Sequence, residues 1–265
     1  MRSTPAKPAW KKFPHADKAF VFAGAALKKN WERLHRGDRE PFPADAAVQE
    51  AWRLYHQGEF RAAFDAGLAA GSDGYNAANK AAMIYATYLE DDERRKLELF
   101  QAISARCDEL QRAQPKNVNG YYFQAYALGR YSQGISVLKA LTDGLGGKIK
   151  AALEATLRLD PKHAEAHSAL GAYHAEVVDK MGAMVAKLTF GASRELAVKH
   201  FETALKLTPD SAIACIEFAN ALVMLFGDKR MDEAIDLYEK AAAATPVEAM
   251  ERLDVELAKS ELEEQ

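Results

Sequence analysis

Apolar residues recur at intervals of three and four along most of this chain. Leu97, Phe100, Ile103, Cys107 and Leu110 show it most plainly, and that spacing predicts a helix over residues 92–112 with one buried stripe. Upstream, Asp17 is placed to cap a helix carrying Phe20, Gly24, Leu27, Trp31 and Leu34 on one face, ending near Gly37. Residues 39–43 hold two prolines and read as a linker, and the preceding Arg36-Gly37-Asp38 reads as a chance tripeptide. Ala51, Tyr55, Gly58, Phe60 and Ala63 predict a compact hairpin over 45–70, closed by the loop Gly71-Ser72-Asp73-Gly74 and followed by a helix over 75–89. After Pro115 a tyrosine-rich helix covers 120–131, a short extra helix 134–141 and a glycine-rich loop 142–148. Two further helical units cover 160–209, with an apolar insertion at 179–193, and 211–244. A last acidic helix carries Met250, Leu253 and Leu257 on one face. No stretch reads as a strand, so the expected fold class is all-α. The expected organisation is a mobile basic arm (1–16), an N-terminal helix and linker (17–43), a helical repeat domain (44–246) and an acidic capping helix (247–265).

Residues 160–209 carry a repeat. The first helix offers His167, Leu170, Gly171 and His174, and the second Ala197, Phe201, Ala204 and Pro209. Gly171 and Ala204 are small where two helices must approach closely, and Pro209 ends the ladder because it has no N–H to continue it. Copies follow at Ala219, Leu222, Ala234, Tyr238, Ala241 and Pro246, and precede at Tyr121, Ala125, Leu128, Ile149, Leu153, Thr156 and Pro161. These positions resemble the tetratricopeptide-repeat superfamily over roughly residues 45–246, whose unit is a helix–turn–helix of about 34 residues. The closing prolines stand at 115, 161, 209 and 246, each interval longer than that unit, so irregular hairpins with insertions in a curved array are expected. The run Asp160-Pro161-Lys162-His163-Ala164-Glu165-Ala166-His167 with Leu170-Gly171, followed by a long insertion, is also similar to regulator-of-microtubule-dynamics-type repeat proteins over residues 118–226. That resemblance implies a helical binding domain, often associated with a membrane or the cytoskeleton.

Charge adds one feature. The net charge is −3, which gives no reason to expect nucleic acid as a partner. Residues 1–40 hold ten Lys/Arg against four Asp/Glu, whereas 247–265 hold two against seven. Two solvated ends are the plain expectation, and a head-to-tail contact the alternative. Cys107 and Cys215 sit at periodic helix positions and are expected as buried thiols. The longest apolar run near the start, residues 19–27, is too short to span a bilayer, so no integral membrane segment and a cytoplasmic location are expected.

Candidate chemistry is sparse. His163, His167 and His174 stand four and seven apart, a spacing that metal ligands use, but the zinc-protease pattern needs Glu directly after the first His and Ala164 stands there. Repeat register places His167 and His174 instead at packing positions that aromatics normally hold. Residues 144–148 have the glycines and lysine of a phosphate loop, but Ile149 replaces the required Ser/Thr. No enzyme, metal or cofactor is expected. The resemblance implies instead that first-helix positions 2, 5, 9, 12 and 13 line a concave groove. Those are Asn119, Tyr122, Tyr126, Gly129 and Arg130, then Glu165, Ser168, Ala172, Ala175 and Glu176, then Ile213, Ile216, Asn220, Val223 and Met224. Asn119, Tyr122, Tyr126, Arg130 and Asn220 are the candidate partner-binding residues, since Tyr and Arg anchor interfaces and Asn holds backbone. The expected function is a non-enzymatic scaffold that holds a peptide or partner helix. The methionine-rich insertion, residues 179–193, either presents an exposed partner surface, since Met adapts to varied shapes, or folds back over the groove as a plug, the reading preferred because a bare apolar loop risks aggregation. The alternative function is a small-molecule-binding or transport accessory protein whose pocket that plug closes.

Overall fold

The computed structural model describes residues 9–263, and among these the regular structure is helical throughout. Five hairpins follow one another. They pair α2 (Ala46–Gln57) with α3 (Phe60–Ala69), and α4 (Tyr75–Tyr88) with α5 (Glu93–Ala113). Next, α6 (Val118–Ile135) pairs with α8 (Leu145–Leu159) across the short α7 (Val137–Thr142). Then α9 (Ala164–Met181) pairs with α11 (Arg194–Leu207) across α10 (Ala183–Val185), and α12 (Ala212–Phe226) with α13 (Met231–Ala242). An initial α1 (Ala25–Leu34) and a final α14 (Ala249–Glu263) complete the chain.

A simple rule starts four of these helices. Asp45, Asn117, His163 and Ser211 each follow a proline by two residues, and each side chain accepts a hydrogen bond from a backbone N–H of the first turn. The proline stops what precedes it, and the cap satisfies a donor that would otherwise have no partner. Glu248 holds the same place after Pro246, but its side chain is used elsewhere.

Hairpin packing follows from the small residues. A Cβ added at Gly171 would lie 2.7 Å from Cδ2 of Phe201, a fully buried ring. Gly171→Ala is therefore expected to lower stability by about 1–3 kcal/mol, the usual range for overpacking a close-packed core. Chemical denaturation checks this, and a loss smaller than that of an exposed Ala→Gly control would show that the contact relaxes.

Several elements differ from expectation. Asp17 accepts from the N–H of Ala19, but it caps only the turn Lys18–Phe20; Gly24 then adopts φ +57°, and the helix begins at Ala25. Most of the loop expected at 142–148 is the first turn of α8, with Gly144 left-handed before it, which removes the phosphate-loop geometry. Residues 1–8 of the basic arm lie outside the described residues, but residues 9–16 are docked. Trp10 stacks on Tyr85 at 4.1 Å, and Phe13 packs edge-on against Phe60. Aromatic side chains in the arm bury too much apolar surface to stay in water.

The acidic last helix does more than cover the final hairpin. It packs on α12 and α13 and also reaches α2. Arg33 grips Glu251 through two hydrogen bonds of 2.5 and 3.1 Å, His56 pairs with Glu248, and the Tyr88 hydroxyl donates to Asp254. The opposite charges of the two ends thus meet within one chain, and the curved array is closed on itself.

Candidate functional site

The concave faces of α4, α6, α9 and α12 converge on one cavity of about 150 Å³, open on one side. Helical spacing puts Met83 and Ile84 of α4, Tyr122, Tyr126 and Arg130 of α6, and Ser168, Ala172 and Glu176 of α9 on its walls. Ile149 and Leu153 of α8 add apolar floor, and Met250 and Asp254 of α14 close the far side.

Of the candidate residues, Tyr122, Tyr126 and Arg130 line the cavity together. Their polar ends have internal partners. Arg130 meets Glu217 at 2.9 Å and lies over the Tyr126 ring, whose hydroxyl pairs with Thr87. Burial opposes the Arg130 charge, but Tyr126 and Glu217 outweigh it and hold the guanidinium protonated. Asn119 lies away from the groove. It is buried, donates to the Asp38 carbonyl and to Glu40, and pairs through Oδ1 with His163. Asn220 is likewise absent from the cavity, because its Oδ1 accepts from the Tyr238 hydroxyl. Both amides sit at groove register, yet neighbouring elements consume them.

The sequence reading missed the polar base of this site. Lys80, 2% exposed in the middle of α4, pairs with the fully buried Asp38 and lies 3.3 Å from Glu165. Burial disfavours both charges, but Lys80 with His35 outweighs it for Asp38, which is held well below the ordinary carboxylate range, and Asp38 with Glu165 and Glu248 outweighs it for Lys80, which is held above the ordinary amine range. Asp38 also meets His35 at 2.9 Å. The Arg36-Gly37-Asp38 stretch is therefore a structural strap. Glu40, on the same strap, accepts from Asn76 and Asn119, and burial pushes its carboxyl up to about 7. One sequence signal was available: a lysine inside the run Ala77-Ala78-Asn79-Lys80-Ala81-Ala82, apolar on nearly every face. Such a charge must be paired.

The three histidines do not converge. His163 is the α9 cap, fully buried, with both ring nitrogens bonded. His167 meets instead His200 of α11, Nδ1 to Nδ1 at 2.9 Å, and His174 stacks on that same ring. Burial lowers His174 and His200 to about 4, so both rings are neutral near pH 7. Among the described residues no group of three or more His, Cys, Asp and Glu side chains is placed to hold a metal ion. Cys107 and Cys215 are free and buried.

The insertion at 179–193 contributes nothing to the cavity wall. Met184 and Leu188 stand 76% and 80% exposed on the outside. The plug expected there is absent, because α10 and the π-helical turn Ala186–Phe190 extend from the end of α9, and α14 occupies the place facing the groove. Among the described residues no helix is long and apolar enough to cross a membrane.

Comparison with solved structures supports this architecture. The chain is similar to TTC0263, a thermophilic tetratricopeptide protein of Thermus thermophilus, with a TM-score of 0.55 and 18% identity over 81% of this chain and 97% of that one. A weaker likeness, TM-score 0.46 and 16% identity over 91% of this chain and 60% of the other, is to an IFIT1 monomeric mutant solved with Gppp-AAAA. No curated protein matches the sequence. The sequence model of one family, however, matches residues 48–265, from the first turn of α2 through the remaining hairpins and α14. With that coverage and this fold, the chain belongs to the family of regulator of microtubule dynamics proteins 1–3.

Proposed function

We propose that this chain is a non-enzymatic scaffold that holds a segment of a partner protein against its concave face. The observation that supports this reading most is the convergence of four first helices on a single half-open cavity with aromatic walls. Such concave, mostly apolar sites with a few polar groups suit recognition of one anchoring side chain. Tyr122, Tyr126 and Arg130 form its walls, held rigid by their internal bonds, and a rigid site loses less entropy when a ligand arrives. The alternative, a small-molecule carrier closed by residues 179–193, is less favoured, because that insertion lies away from the cavity.

The test places a photoreactive diazirine amino acid at Ala172, with Lys206 on the exposed side of α11 as control. In lysate of the native host, adducts at 172 are expected to map to one segment of one protein, to be absent at 206, and to disappear when Ser168→Trp fills the cavity. Adducts that are equal at both positions, or indifferent to Ser168→Trp, would overturn the groove assignment.

A further inference from the structure

The cavity wall carries four carboxyl groups, Glu165, Glu176, Glu217 and Asp254, against two cations. Both cations are already engaged: Lys80 with Asp38 and Glu165, Arg130 with Glu217. Glu176 receives only an amide N–H from Gln133, and Asp254 only the hydroxyl of Tyr88. Among the described residues neither carboxyl is ion-paired. A second observation points the same way. Tyr173 also lines the cavity, is 7% exposed, and its hydroxyl has no hydrogen-bond partner. The site therefore holds unused acceptors beside the rings of Tyr88, Tyr122 and Tyr126, and aromatic faces with carboxylates attract cations. Met83, Ile84 and Leu153 line it with apolar surface that an aliphatic stem would cover.

We propose that the cavity seats one basic side chain, lysine or arginine, of the partner protein, its stem against Met83, Ile84 and Leu153 and its cationic head toward Glu176 and Asp254. This rests on the groove reading above. A cavity of about 150 Å³ has room for one side chain, not for a folded segment. A wholly apolar occupant would shut two carboxyl groups from water with one hydrogen bond each, from Gln133 and from Tyr88, which is costly even where the acid keeps its proton. Burial raises Glu176 and pushes Asp254 up to about 8, so near neutral pH Asp254 largely keeps its proton. Around Asp254 stand Tyr88 from α4, Glu165 from α9, Glu251 from α14 itself and Glu248 just before it; the three glutamates all favour its protonated form. A bound cation would release that proton, so affinity should rise as pH climbs toward about 8.

The test uses the full chain with ¹³C-methyl methionine, reading the Met83 and Met250 signals by NMR. The probes are acetylated, amidated Gly-X-Gly peptides with X as Lys, Arg, norleucine or Glu, and n-hexylamine. The Lys and Arg peptides are expected to shift both methyls, more tightly at higher pH. Glu176→Gln and Asp254→Asn, each nearly isosteric, should weaken them by about tenfold or more, as loss of a charged hydrogen bond does. Equal binding of the norleucine peptide, or preference for the Glu peptide, would overturn the proposal. So would n-hexylamine binding far more tightly than the Lys peptide, which would assign the site to a free organic amine. If cross-linking at Ala172 succeeds while these probes show no preference for positive charge, the scaffold reading stands and the basic anchor falls.

Discussion

Lys80→Met is expected to cost about 3–5 kcal/mol of folding stability, the penalty for removing one partner of a buried ion pair. Asp38 would then remain fully buried, with Glu40 and Glu165 nearby and His35 as its remaining close partner. The double variant Lys80→Met/Asp38→Asn should recover much of the loss, because the amide introduced at position 38 can still accept through its carbonyl oxygen from His35 and from the N–H of Glu40. The pH dependence has a definite sign. Without Lys80, burial raises the folded-state pKa of Asp38 above its unfolded value. The variant is then penalised as pH rises through that pKa and lies closer to the wild type near pH 4 than at pH 7. Urea denaturation at both pH values measures this. A loss below about 1 kcal/mol at pH 7 would mean that water reaches the pair.

Ending the chain after Pro246 is expected to have an even larger effect. That truncation removes the burial of Leu253 and Val255, at about 1.5–3 kcal/mol each, strands His56 and Tyr88 without their carboxyl partners and leaves Arg33 with Asp210 alone. The sum is comparable to the roughly 5–15 kcal/mol that holds a whole domain folded. The truncated chain should therefore lose its cooperative thermal transition, not merely shift it. A retained sharp transition within a few degrees of the full chain would show that α14 is only a cover.

The parts of this architecture that were legible in the sequence are those that local chemistry decides. Prolines 115, 161 and 209 mark hairpin boundaries because proline breaks the ladder wherever it stands. Gly171 against Phe201 was legible because close helix approach demands a small residue. Of the positions in groove register, Tyr122, Tyr126, Gly129, Arg130, Glu165, Ser168, Ala172, Glu176 and Ile213 line one cavity. Asn119, Ala175, Ile216, Asn220, Val223 and Met224 do not, since register says where a side chain starts and not which neighbour claims it. In the strap from Gly37 to Glu40, the sequence shows only a helix end with a chance tripeptide and then a linker, because its partners lie at Lys80, Asn119 and Glu165, far along the chain. His200 was missed for the same reason: His167 meets it across a hairpin, 33 residues away. Of the two readings of the insertion, exposed surface and plug, the sequence favours the plug because exposed Met and Leu are unfavourable in water, and no local signal shows that α14 takes the inner position.

The contact between α14 and α2 also sets an order in time. During synthesis, at roughly 5–20 residues per second, repeat proteins can settle hairpin by hairpin as each one leaves the ribosome. This chain cannot finish that way. The first hairpin contains His56, fully buried, whose carboxyl partner Glu248 lies 192 residues later, and Arg33 waits 218 residues for Glu251. Until those last residues have been made, the earliest-formed hairpin exposes an imidazole and an apolar face, the kind of surface that chaperones hold.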